Sequence, residues 1–215
     1  MKGLLIKDLA FVKIQAKALF FLFMLVLFML LEGQSFEFVI AYANVVFAMF
    51  VITTINYDYF ENGCAFLMTL PISRKLYVNE KYVLGLLAAG CGFLVDIVFM
   101  LLAHFMKEGY VFGMNNLIFA LAYALGSLVF IAIMLPIELK YGPEKARIAM
   151  IVVMVVIFAG IFLLSGITSF DLTSVITRLI SLDKRDFLGV SVATVIIALI
   201  VSYPISCRIM EKKEF

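Results

Sequence analysis

The chain has 215 residues, 65% of them hydrophobic and 15% charged, with a mean hydropathy of +1.15. Soluble domains carry about 25% charged residues, so a soluble globular fold is excluded. The net charge of +2 matters less than where the charges fall along the chain, and it gives no reason to expect a nucleic-acid partner.

Six apolar stretches, 18–31, 38–55, 82–106, 114–137, 146–168 and 187–206, come close to the ~20 residues that cross a ~30 Å hydrocarbon core. The segments between them alternate in basic content. Of the 17 Lys and Arg, only Lys107, Arg178, Lys184 and Arg185 lie on one side; the rest lie on the other. Cationic loops stay in the cytoplasm, which places both termini there. No segment outside the membrane is long enough to bury its own core, so residues 1–215 form one domain. The expected fold is all-α, with six transmembrane helices.

Residues 1–17 carry a stripe of Leu5, Leu9, Val12 and Ala16, with Lys2, Lys13 and Lys17 away from its centre. Two arrangements fit. One is a helix lying in the cytoplasmic interface; the other is a single long tilted helix with snorkelling lysines. The basic start followed by an apolar run resembles a secretory signal. However, Glu32-Gly33-Gln34-Ser35 offers no small-residue cleavage site, so 18–31 is expected to be a retained first span.

The second span carries Asn44 and Thr53 and leads into a polar run at 56–63. A short surface helix is expected over 59–70, ended by Pro71. Its Phe66 and Leu67 either rest on lipid or fill a groove in another protein.

The third span presents Gly85, Ala88, Ala89 and Gly92 at i, i+3, i+4 and i+7, a small-residue face that lets another helix approach closely. Asp96 follows on that face. An ionised Asp at a helix centre costs about 2.5–3.5 kcal/mol on insertion scales, so it needs a partner, a water-filled neighbour or a proton. It belongs either to a polar pathway or to a packing contact with a neighbouring Ser, Thr, Tyr or Asn.

Pro136 is expected to kink or end the fourth span. Gly142 suits a helix C-cap and Pro143 the first turn of the next helix, giving a tight charged connection over 138–147. The outer connection 169–186 carries Leu172, Val175, Ile176, Leu179 and Leu182 at helical spacing, which suits an amphipathic helix between spans five and six.

Motifs for soluble chemistry are missing. The sequence contains no GxxxxGK[ST], HExxH or GxSxG, and His104 is its single histidine. Cys64, Cys91 and Cys207 lack metal-site spacing and suit small buried hydrophobes. No cofactor is expected in this chain.

Several segments resemble the permease subunits of type-2 ATP-binding-cassette exporters, in their six-span bacterial form. They are the opening Met1-Lys2-Gly3-Leu4-Leu5-Ile6-Lys7-Asp8-Leu9; Leu70-Pro71-Ile72-Ser73-Arg74-Lys75-Leu76-Tyr77-Val78 with Glu80-Lys81-Tyr82; and Leu135-Pro136-Ile137 with Gly142-Pro143-Glu144-Lys145-Ala146-Arg147. The chain is also similar to exporters of phenol-soluble modulins, amphipathic cytolytic peptides. The resemblance implies residence in the bacterial cytoplasmic membrane and a separate ATPase subunit holding ATP and Mg. It also implies a second permease copy, in a homodimer or a heterodimer, and a pathway lined partly by spans two and five. Coupling helices would lie near 59–70 and 138–147, giving an ATPase contact at Glu61, Phe66, Leu67, Arg74, Lys75, Glu144 and Lys145. Asn44, Thr53 and Asp96 would be interior or pathway polar groups. The substrate would be an amphipathic peptide or lipid-like molecule. Two other classes stand beside this one: an ion-coupled carrier or channel using Asp96, and a non-transporting membrane scaffold or immunity protein.

Overall fold

The structure, a computed structural model, describes residues 2–14, 16–31, 36–60, 63–106, 113–167 and 184–214. These residues are almost entirely helical and include no strand. In chain order the helices are α1 (Lys2–Ile14), α2 (Ala16–Leu31), α3 (Phe36–Tyr59), α4 (Gly63–Thr69), α5 (Arg74–Met106), α6 (Met114–Ile167) and α7 (Lys184–Lys212). The outer connection expected to be amphipathic lies outside the described residues, apart from its final three.

Among the described residues four segments are long and apolar enough to cross a membrane: Phe38–Tyr59, Arg74–Phe105, Asn116–Ala149 and Asp186–Lys212. The chain is therefore a multi-pass membrane protein. α2 is strongly apolar, but its 16 residues extend only about 24 Å at 1.5 Å per residue. The helices overrun the apolar stretches: α5 begins at Arg74, well before position 82, and α7 continues to Lys212. Hydrophobicity marks the lipid-facing length, whereas backbone hydrogen bonding carries each helix on into the aqueous layer.

Local chemistry sets the ends. α4 stops before Pro71, and Ser73 starts α5 by accepting a hydrogen bond from the Leu76 amide at 3.2 Å, as an N-cap does. α6 runs for 54 residues, interrupted at Gly142, where φ is 72° and ψ 172°. A positive φ suits glycine, and Pro143 then begins the next turn.

Of the two outcomes expected at Pro136, the helix end does not occur: α6 passes through it. A proline leaves the carbonyl four residues earlier without its amide donor. That carbonyl belongs to Ala132, and the Ser202 hydroxyl of α7 donates to it. The break at Gly142 leaves the Leu139 carbonyl, in the last turn before it, without a helical donor. Lys213 Nζ donates to that oxygen at 2.6 Å, and Tyr59 Oη does so at 3.4 Å.

α3, α5, α6 and α7 pack on one another to form the bundle, with α2 against α3 and α1 against α5. The largest apolar cluster joins Val51 and Ile55 of α3, Cys64 of α4, Tyr77 and Leu84 of α5, Leu135 and Leu139 of α6, and Met210 of α7. One end of the bundle thus collects α1, the end of α3, α4, the start of α5, the Gly142 break and the end of α7. The lysine-rich segments of the sequence meet here.

Candidate functional site: the basic end and the interior pair

α1 docks through Leu4, Asp8 and Phe11, all buried, while Leu9 is exposed. The docking face is therefore one position away from the Leu5–Leu9 stripe of the sequence reading. On this face Asp8 turns towards cations. Lys81 of α5 is fully buried and forms ion pairs with Asp8 and, at 2.9 Å, with Asp58 of α3. It also donates to Thr54 Oγ1 at 3.2 Å. Lys7 pairs with Asp8 at 2.7 Å and with Asp58. Tyr77 Oη donates to Asp58 Oδ2 at 3.0 Å. Glu80, also buried, lies 3.6 Å from Lys81.

Lys7 and Lys81 thus face Asp8, Asp58 and the nearby Glu80, and the cluster ties α1, α3 and α5 together. Burial alone would raise the Asp8 carboxyl. The Lys81 charge and hydrogen bonds from Lys7 and Lys81 outweigh that effect and hold it below the usual carboxylate range. Sequence reasoning missed this cluster. Lys7 and Lys81 count there as cytoplasmic positive charges, and Asp8 and Asp58 as polar flanks. The available signal was Lys81 lying four residues after Tyr77, on one helix face.

A second polar group ties the ends of α3 and α7 to α6. Lys213 Nζ donates to Tyr59 Oη at 2.8 Å and sits 4.4 Å from the ring centroid. Cys64 is buried beside it; burial, aided by the Asp58 charge, pushes its thiol up to about 11, although Lys213 opposes the shift. Burial also lowers the Lys213 ammonium from its ordinary value.

The residues assigned from sequence to a partner ATPase fall into different settings. Phe66 is 69% exposed, whereas Leu67 packs against the main apolar cluster. Arg74 donates to the Met210 carbonyl at 3.3 Å and to the Glu211 carbonyl, and Lys75 pairs with Glu211 at 3.3 Å. Glu144 and Lys145 are exposed just beyond the Gly142 break. Glu61 lies outside the described residues.

In the interior, Asn44 and Asp96 come together: Asn44 Nδ2 donates to Asp96 Oδ2 at 2.6 Å. Thr53 does not join them and donates to Met49 O of its own helix at 2.8 Å. Gly85, Ala88, Ala89 and Gly92 are all buried. A Cβ at Gly85 would stand 3.2 Å from Ile131 Cγ2, and one at Gly92 would stand 2.8 Å from Asn44 Oδ1. Among the described residues no grouping of His, Cys, Asp and Glu is arranged to hold a metal ion.

A family model described as ABC-2 family transporter protein matches residues 3–211. No curated protein and no solved structure matches the chain.

Proposed function

The chain belongs to the ABC-2 transporter family, and on that premise we propose that it is the membrane-spanning subunit of an ATP-driven exporter. ATP and Mg are held by a separate ATPase chain, and two permease copies assemble with two such ATPases. Six crossings are completed by α2 and by the part of α6 beyond Gly142. The protein resides in the bacterial cytoplasmic membrane with both termini in the cytoplasm, which the one-sided distribution of Lys and Arg supports. Amphipathic peptides or lipid-like molecules are the proposed substrates.

One observation carries the coupling part of this reading. Phe66 stands out from α4 at the basic end, while α4 itself is anchored through Cys64 and Leu67 in the main core. A large exposed aromatic on a braced helix is suited to filling a pocket in a partner. The core and the ion cluster behind it provide a rigid route into α3 and α5. ATP-driven closure of the partners would then bias the membrane part between two states through contacts that differ between them. Arg74 and Lys75 contribute by fixing the end of α7, and Glu144 and Lys145 orient the ATPase from the neighbouring break.

The test is Phe66→Ser in the permease co-expressed with its ATPase. Leu67 is left intact because its substitution would disturb the core. The expected result is a well-folded permease whose ATPase association weakens at least ~10-fold, as removal of about 1.5–3 kcal/mol of apolar burial requires. Undiminished co-purification and substrate-stimulated hydrolysis would refute the contact.

A further inference from the structure

Asp96 is fully buried in α5, and Asn44 of α3 is nearly so. One Asn44 Nδ2 hydrogen goes to Asp96 Oδ2 and the other to the Ile40 carbonyl, at 3.1 Å. Two atoms are left without hydrogen-bond partners, Asp96 Oδ1 and Asn44 Oδ1. They are the opposite ends of the same carboxyl and the same amide. With Asp96 ionised, both are acceptors and neither can satisfy the other.

Among the described residues no cation pairs with Asp96 to resolve this. Residues 38–57 of α3, 114–137 of α6 and 187–206 of α7 contain no Asp, Glu, Lys, Arg or His. On α5, residues 82–106 add only His104, two turns away, and α2 adds only Lys17 near its start. The phenols Tyr42 and Tyr123 complete the titratable groups packed around the neighbouring apolar clusters. A hard metal cation takes about six or more oxygen ligands, and two unpartnered oxygens fall well short of that.

We propose that Asp96 is a proton-binding site: it holds a proton on Oδ1 and donates it to Asn44 Oδ1, closing a reciprocal acid–amide pair between α5 and α3. A single proton satisfies both leftover atoms and removes the charge from the membrane interior. Gly92 makes room for the pair, since a Cβ there would reach within 2.8 Å of Asn44 Oδ1. The α3–α5 contact is thus proton-dependent, and parting these helices exposes an acid that can release its proton. This holds whether or not the chain exports anything.

Infrared spectroscopy of the full chain in lipid nanodiscs at neutral pH, with aspartate side-chain carboxyls labelled with carbon-13, tests the proposal. The expected spectrum contains a protonated-carboxyl band that shifts with the label and disappears in Asp96→Asn. Should that variant fail to accumulate, Asp96→Glu serves in its place, and its protonated-carboxyl band no longer shifts with the aspartate label. Absence of the band from the wild type overturns the proposal, as does a label-sensitive band that survives either substitution. A band that appears only on removing sodium also overturns it, because the carboxylate would then be holding that ion.

Discussion

At the basic end, α3 and α5 bring Asp58 and Lys81 together with Asp8 and Lys7 of α1. Farther along the same two helices, Asn44 and Asp96 meet, and among the described residues no opposite charge pairs with them. The first region satisfies buried acids with counter-charge, and the second does so with an amide. The difference follows depth. Near the membrane surface a lysine can reach a buried acid while its stem remains in apolar packing. At the centre, bringing in a lysine would cost about as much as the aspartate it serves. The two regions also do different mechanical work: the ion cluster joins three helices, whereas the interior pair joins two.

Lys81→Met breaks the first region most directly. It leaves Asp8 and Asp58 sharing one partly exposed Lys7, and removing one partner of a buried pair costs about 3–5 kcal/mol. Thermal unfolding in detergent is expected to show that loss, with partial recovery when Asp8→Asn is added. A single variant as stable as the wild type would dismiss the cluster as a lock. Asp8 is depressed in the folded protein, so its contribution is complete above the usual carboxylate range and is lost as pH falls through its lowered value.

The interior pair is probed by comparing two neighbouring glycines. Gly92→Ala forces a methyl against Asn44 Oδ1 and is expected to cost about 1–3 kcal/mol. Gly90→Ala meets nothing within 4 Å and is expected to be neutral or stabilising by about 0.5–1 kcal/mol, because alanine suits a helix better. Equal effects in a denaturation series would mean that the pair is not tightly packed.

Lys75→Ala supplies the exposed reference. The Lys75–Glu211 pair is 66% and 47% exposed, so the expected loss is below about 1 kcal/mol and shrinks as salt is added. A loss matching that of Lys81→Met would erase the distinction between buried and exposed charge on which the comparison rests.

These regions differ in how well the sequence reveals them. Asp96 stands alone in a long apolar run, and Gly142 precedes a proline, so the interior acid and the helix break can be recognised from adjacent residues. The ion cluster cannot. Asp8 and Lys81 are separated by 73 positions, and Lys7 and Asp58 by 51, and each residue alone is an ordinary flank of a basic segment. The sequence shows that Asp96 needs a partner but not that Asn44 supplies it, because pairing depends on helix rotation. Pro136 leaves both outcomes open in the sequence for the same reason: the hydroxyl that lets the helix continue belongs to a distant helix. Phe66 and Leu67 look equivalent in sequence, and only packing distinguishes the exposed residue from the buried one.

The carbonyl freed by Pro136 also bears on biogenesis. Ser202 lies 70 positions after Ala132, whose oxygen it covers. At the ribosome, the first part of α6 is therefore made and delivered to the membrane well before this donor exists. Until α7 arrives, water, lipid headgroups or the insertion machinery must cover that oxygen. Assembly of this bundle is thus completed backwards along the chain, with a late helix finishing the backbone of an earlier one.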